Sequence, residues 1–541
     1  MRLSKLLILL SVISCPWRLW GQEPFLPSPS TDVLSYDFRM ALSDTSDLIQ
    51  GEAWLAVAAT GEALQLDLVK GQADDPKRGG MEVTAVEQID AQGLPVRPGA
   101  SECAFTHQND RLRITPVQLQ DTLWLRIRYR GKPRDGLIIS QNRHGDRTFF
   151  GDNWPNRAHH WLPVVDHPRD KALVAFSVSA PDHYEVVSNG KLLKISQDKP
   201  GYRLHQWQST VPLPVKVAVI GVARFARAYP GEVEGIPVSS WVYPQDQAAG
   251  FTRYQVAVGV LDTLIDYIGA YPYVKLANVQ STTRYGGMEN ASCIFYAESS
   301  VDQNSEALIA HEIVHQWFGN SASEASWYHL WLSEGFATYF TGLYLERRYG
   351  PEALQTYLQS ALDRVLTSGP ARPVVDSSVT DINALLNANS YQKGALVLHM
   401  LRRELGDAVF QRGIRTYYQR YQLSNALTAD FQQVMEEVSG RELGWFFQQW
   451  LFRPENPQLD ITWTYEAASQ ALSLTVNQTQ PGSPFRLPLA VEVDLPDGPR
   501  RYLLPLQDAQ TTWQVQGIAR PTALRINPGA EVLVGVDLQK K

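Results

Sequence analysis

Between about Tyr36 and Pro230 apolar and polar residues alternate in short runs, as in TLWLRIRYRG (Thr122 to Gly131), ALVAFSVSAP (Ala172 to Pro181) and VKVAVIGVARF (Val215 to Phe225). Gly-Lys-Pro, Asp-His-Pro and Ser-Asn-Gly segments separate them, and a two-residue period bounded by turn residues predicts strands. The period changes near Asp246. GFTRYQVAVGVLDTLIDYIGAY places apolar residues three and four apart and ends at Tyr271-Pro272, where proline stops a helix. Helical spacing then dominates to about Phe452. Past Arg453-Pro454-Glu455-Asn456-Pro457 the alternation returns, in LDITWTYEA, ALSLTVNQT and LPLAVEVDLP. The pattern predicts an α+β multidomain chain: an N-terminal β-domain over 22–235, a mainly helical middle over 236–454 and a small C-terminal β-domain over 455–541.

The first residues follow a different rule. Arg2 and Lys5 flank the start of an apolar run from Leu6 to Ser14, too short to span a bilayer but long enough for a secretory leader, so 1–21 is expected to be a signal peptide. Two processing routes fit. Val12-Ile13-Ser14-Cys15 resembles a lipoprotein box, which would anchor the chain through lipid at Cys15; a cut before Gln22 would release a soluble periplasmic or secreted protein. The short segment before Cys15 favours the second. No other stretch reaches about 18 uncharged apolar residues, so no membrane span is expected. With 49 basic against 56 acidic residues the net charge is −7, and the absence of a basic run argues against a nucleic-acid partner. Three cysteines in 541 residues build neither a disulfide framework nor a cysteine-based zinc site.

Candidate chemistry lies in the helical middle. His311-Glu312-Ile313-Val314-His315 sits inside EALIAHEIVHQWFG, whose apolar residues suit a buried helix. Histidines four apart on a helix lie about 40° and roughly 6 Å apart on one face, so both imidazoles can reach one metal ion. Glu312, next to the first histidine, can then act as a general base. A catalytic zinc usually takes a third protein ligand. Glu334, in WLSEGFATY, is a candidate 19 positions after His315, with Ser333 as a possible N-cap of the following helix. On its own, a glutamate at a helix start is more often a partner of the helix dipole than a ligand.

HEIVHQWFGN, then WLSEGFATY, preceded by Tyr285-Gly286-Gly287-Met288-Glu289-Asn290, resembles the gluzincin zinc aminopeptidases typified by aminopeptidase N and leukotriene hydrolase. NRAHHWLPVVDHPRDKA (Asn156 to Ala172), VVSNGKL (Val186 to Leu192) and FFQQWLFRPENPQLDI (Phe446 to Ile461) extend the likeness over most of the chain. The resemblance implies a β-sandwich-like N-terminal domain, a thermolysin-like catalytic domain and a C-terminal β-sandwich-like domain. It implies one Zn²⁺ held by His311, His315 and Glu334, hydrolysis of the N-terminal peptide bond by a zinc-activated water with Glu312 as base, and Glu289 as anchor for the free amine. Gly286 and Gly287 would leave room for the substrate backbone to pair as an added strand, Met288 would stand at the wall of the side-chain pocket, and Tyr391, in NSYQKGA, would stabilise the oxyanion.

There are two departures. Many such enzymes hold the amine a second time with a glutamine nine residues before the proline of the RAxxWLP-like segment; counting back from Pro163 gives Trp154. Asn153, Asn156 or the Trp154 ring face are candidate replacements, the alternative being that Trp154 only packs. The long helical C-terminal domain of many large relatives is also not expected, since the residues after Pro457 read as strands, and a more open site for longer peptides follows. An epoxide hydrolase of the leukotriene hydrolase type, an endopeptidase and a catalytically silent binding scaffold are the competing functions. Glu289 argues against an endopeptidase, and the complete set of site residues against a scaffold.

Overall fold

The computed structural model describes residues 26–540 apart from 60, 72–78, 98 and 370. The expected leader, Cys15 and the cut before Gln22 lie outside the described residues. Among the described residues no helix is long and apolar enough to cross a membrane.

The N-terminal part is a β-rich unit. Its largest sheet has eight strands, in which Thr31–Ala41 lies between Lys171–Pro181 and Ile49–Ala59, and Thr122–Lys132 joins Ile49–Ala59 to the edge strand Gly80–Ile89. The alternation read from the sequence works as expected there. Leu123, Leu125, Ile127 and Tyr129 of one strand and Val174, Phe176 and Val178 of another are buried, while their neighbours are partly exposed. The run from Val215 to Phe225 is not one strand: Val215–Val217 forms a 3-10 turn, and only Ile220–Ala223 pairs, with Glu185–Ser188 and Arg147–Gly151. Being buried on all sides, the run carries no period that separates the two.

A five-stranded sheet underlies the middle of the chain, in the order Ala226–Val233, Ile236–Val242, Leu276–Ser281, Cys293–Ala297, Gly287–Met288. Its first hairpin starts upstream of position 235. Leu276–Ser281 and Cys293–Ala297 are parallel neighbours, buried except at Ala297, with no alternation to read. Nine α-helices occur among the described residues: α1 (Gln247–Tyr254), α2 (Val256–Ile268), α3 (Glu306–Val314), α4 (Trp331–Tyr349), α5 (Pro351–Thr367), α6 (Gly394–Leu405), α7 (Asp407–Tyr421), α8 (Thr428–Ser439) and α9 (Gly444–Leu451). The single helical pattern expected from Gly250 is two helices, α1 and α2, meeting at Gln255. Beyond α9 a four-stranded and a three-stranded sheet form the C-terminal part. The chain is thus an α+β multidomain protein with β-rich ends and a helical centre.

Aromatic packing fixes α4 against the segment that follows α3. Phe318 lies 4.7 Å from Phe336, Phe336 5.1 Å from Phe431, and Phe431 5.0 Å from Tyr417, measured between ring centroids. The amino-terminal part meets the same segment through charge. Lys216, from the 3-10 turn, forms a 2.5 Å ion pair with Glu324, and both side chains are buried. Lys171 donates to the carbonyls of Asn320 and Ser321 at 3.2 and 2.6 Å. Desolvation and the neighbouring Lys216 pull the Lys171 ammonium down to about 7.

Removing one partner of a buried ion pair strands the other charge, at a cost of about 3–5 kcal/mol, whereas an apolar pair of similar volume can be close to neutral. Lys216→Met is therefore expected to lower the thermal unfolding midpoint markedly, and Lys216→Met with Glu324→Leu to recover most of it, both read by calorimetry. A double variant no more stable than the single one would show that the pair is not the anchor between the two parts.

Candidate active site

The helix α3 stops at Val314, and His315 continues it by one residue, its N–H bonded to the His311 carbonyl at 3.3 Å. Both imidazoles then face the same point: their Nε2 atoms are 3.1 Å apart. Glu334 arrives from the first turn of α4, its Oε2 3.4 Å from His311 Nε2 and 3.3 Å from His315 Nε2. Ser333 is inside α4, not its N-cap, which is Leu330. Its hydroxyl lies 3.1 Å from His315 Nδ1. That nitrogen also faces the Phe318 carbonyl at 3.1 Å; a carbonyl only accepts, so Nδ1 carries a proton, and Nε2 is the nitrogen turned toward Glu334 and His311. Gly319, at φ +109°, makes this possible, since a methyl there would come within 2.2 Å of the Ser333 hydroxyl.

Three donor atoms within 4.8 Å of one another, two imidazole nitrogens and one carboxylate oxygen, are the donor set of a zinc site with an open position. Glu334 Oε2, the atom facing both rings, is buried without a hydrogen bond. A cation there would satisfy it. Burial pushes the Glu334 carboxyl up, but His315 and His311 overcome this and hold it well below the carboxylate range. For His315, burial pulls down while Glu334, Glu289 and Glu312 outweigh it and hold the imidazole well above its usual value.

Glu312 and Glu289 complete a buried acidic cluster. Burial raises both carboxyls and His315 opposes it; Glu334 raises each further, and Glu289 also raises Glu312. Glu312 packs against the backbone of the glycine loop: a methyl at Gly287 would lie 2.3 Å from Glu312 Oε1. Glycine at 287 is therefore required by the close approach, whereas Gly286 has room for a side chain. Gly287–Met288 pairs antiparallel with Phe295 and Tyr296 and is the edge strand of the central sheet, so its outer side is open to another strand. The Glu289 carbonyl accepts from Gln316 Nε2 at 2.8 Å and from Asn320 Nδ2 at 2.6 Å, tying the loop to the continuation of α3.

Tyr391 lies in a single π-type turn, Asn389–Lys393, that runs into α6. A methyl on Gly335 would lie 3.0 Å from the Gly394 Cα, so α4 and α6 touch backbone to backbone and the turn is drawn over the site. The phenol ring is nearly parallel to that of His311, 6.1 Å between centroids. Burial, followed by the three carboxylates, keeps it protonated.

One cavity of about 70 Å³ is lined by Trp154, Gly287, Met288, Glu289, His311, Glu312, His315, Glu334 and Tyr391, together with Tyr285 and Leu386. All the expected site residues meet there except Gly286, which borders the loop. Larger cavities, about 660 and 590 Å³, open on the N-terminal sheets and contain none of them. Trp154 is both packed and in the lining: it is buried, edge-on to Tyr285 and Trp327. Asn153 is committed elsewhere, donating to the carbonyls of Val215 and Ala218 and accepting from Trp161. Leu386 carries no signal in the sequence.

The Peptidase family M1 domain matches residues 253–450 and the Peptidase M1 N-terminal domain matches residues 81–215, so both sides of the cavity lie in matched sequence and well over half of the chain is covered. The chain belongs to the peptidase M1 family. M1 peptidases are in general zinc-dependent. The chain is 30% identical over 331 residues to glutamyl aminopeptidase of Bos taurus, covering 57% of this chain and 34% of the bovine protein. It is 27% identical over 451 residues to aminopeptidase M1-B of Oryza sativa subsp. japonica, covering 77% and 49%, and 28% identical over 362 residues to probable aminopeptidase 2 of Sulfurisphaera tokodaii, covering 62% and 46%. The chain therefore spans half or less of these relatives. Legionella pneumophila aminopeptidase A, solved in complex with aspartic acid, shares the fold with a TM-score of 0.79 at 16% identity, covering 95% of this chain and 60% of that one.

Chelator-stripped protein is expected to take up one zinc per chain, measured by atomic emission after desalting. His315→Ala and Glu334→Ala should each lower zinc affinity at least about tenfold, the smallest loss seen when a supporting group is disturbed. Full occupancy in either variant would remove that residue from the ligand set.

Proposed function

We propose that the chain is a zinc aminopeptidase that hydrolyses the N-terminal bond of peptides. The observation that carries this reading is the meeting of His311, His315 and Glu334 with Glu312, Glu289 and an open edge strand in one buried cavity of an M1 chain. Zinc in the His311, His315, Glu334 cradle would polarise the scissile carbonyl and make the attacking water more acidic.

The chain's own residues do the rest. The substrate backbone adds as a strand beside Gly287–Met288, in register with a sheet that already supplies the hydrogen-bonding direction. Its free ammonium pairs with the Glu289 carboxylate, whose Oε1 is buried and has no hydrogen bond. Glu312 takes the proton of the attacking water and returns it to the leaving amine; it lines the same cavity as His311, His315 and Glu334, where that water would sit. Tyr391, kept as a phenol, donates to the oxygen that becomes negative as the tetrahedral state forms. Export rests on the sequence of residues 1–21 alone and is part of the same reading.

Amino-acid arylamides, each beside its N-acetylated twin, test it. Chelator-sensitive release is expected from the free-amine member only. Glu312→Gln and Tyr391→Phe should each lose about 100-fold or more in kcat, the usual contribution of a positioned base or oxyanion donor. Glu289→Ala should act mainly through KM for the free amine. Equal cleavage of the blocked twins would point to an endopeptidase, and no release from either set would turn attention to epoxide opening or to a silent scaffold.

A further inference from the structure

The cavity's charge and size say more than that a free amine is bound. Its lining holds three carboxylates, Glu289, Glu312 and Glu334, and among the described residues no lysine or arginine lines it. Two arginines that adjoin Tyr285 of the lining are engaged elsewhere. Arg157 is paired with the buried Asp152 and lies over the Tyr285 ring at 5.5 Å, and Arg284 is paired with Asp135 at 2.8 Å. A divalent cation and the substrate ammonium together offset the three carboxylates. A further charge on the substrate's first side chain meets no lining group of opposite charge that is not already offset, so no ion pair repays its desolvation.

Size adds a second limit. The lined part of the cleft, about 70 Å³ and partly open to solvent, has room for about five to seven water-sized probes at roughly 10–15 Å³ each, and the ammonium and Cα of the first residue take part of it. Trp154 is the largest side chain of the lining, and it is not free to move aside. Tyr285 and Trp327 meet it edge-on, with centroids 6.5 and 6.3 Å away. Behind it, Asp152 accepts from Thr283 Oγ1 and the Arg284 N–H, both at 3.3 Å, which fastens the Trp154 segment to the glycine loop. Leu386, half-buried, also lines the cavity.

We propose that the site selects peptides whose first residue carries a small, uncharged side chain of alanine or serine size, and that Trp154 sets the size limit. This rests on the aminopeptidase reading and names its substrate class. Trp154 is assigned as a wall: its indole N–H only donates and so adds no acceptor for the ammonium, which leaves the ring face as its one means of meeting the amine.

The zinc-loaded full chain is assayed on arylamides of alanine, serine, leucine, phenylalanine, glutamate and arginine. The alanine compound is expected to exceed those of phenylalanine, glutamate and arginine at least about tenfold in kcat/KM. Trp154→Ala should raise the phenylalanine-to-alanine ratio by about tenfold or more while leaving glutamate poor, and Trp154→Phe should keep the original order. These are ratios within one preparation, so a partly folded variant does not change them; if Trp154→Ala fails to fold, Leu386→Ala supplies the opened cavity. Calorimetric binding of free alanine against free aspartate gives a readout without turnover, with alanine expected to bind more tightly. A wild-type preference for glutamate or phenylalanine, tighter binding of aspartate, or ratios unchanged in both opened variants would overturn the proposal. If no free-amine substrate turns over, the aminopeptidase reading itself fails, and the calorimetric order alone then decides selectivity.

Discussion

Three carboxylates and two imidazoles share one buried cavity, and keeping like charges together away from water governs the surrounding structure. Burial raises the proton affinity of Glu289 and Glu312, while Glu334 stays low only because both imidazoles face it. Such a cluster is stable when a cation completes it and costly otherwise, which is why the supporting groups are rigid. His315 is fixed through Nδ1 by a carbonyl and a serine hydroxyl, and Glu289 through its own carbonyl by two side-chain amides. The carboxylates are left free of hydrogen bonds where a ligand would reach them, and their backbones are held where it would not.

The same constraint explains the glycines. At Gly287, Gly319 and the Gly335–Gly394 contact, a single methyl would strike Glu312, Ser333 or the opposing backbone. Each of these contacts brings a functional side chain closer than a larger residue permits. The domain junction serves the same purpose from the other side. Lys216 and Lys171, from the amino-terminal part, neutralise Glu324 and cap the carbonyls of Asn320 and Ser321, on the segment that carries the amides holding Glu289.

The sequence shows α3 well because its chemistry and its period coincide: His311 and His315 are four apart on an element whose apolar residues already mark it as helical. Glu334 has no such period linking it to them. Only the likeness of its whole motif suggests that α4 returns to α3, and the Ser333 reading as a cap fails because α4 starts at Trp331. Tyr391 is harder still, since a π-type turn breaks the 3.6-residue spacing at the position that matters. Leu386 has neither motif nor period. The strands at 276–281 and 293–297 are buried on both faces and so look like the helices around them, whereas the outer sheets, buried on one face, are legible strand by strand.

Trp154 illustrates what a departure from a motif can carry. Read along the chain it is only a missing glutamine, with packing and amine binding as equal alternatives. In space the alternatives are not exclusive, because the ring packs against Tyr285 and Trp327 and still lines the cavity. A polar side chain there adds a contact to the amine; an indole instead removes volume and adds no acceptor. In the proposed reading the ammonium is left to Glu289, and a cation with one amine already balances the charge of the cavity. Selectivity then falls to the shape and neutrality of what remains.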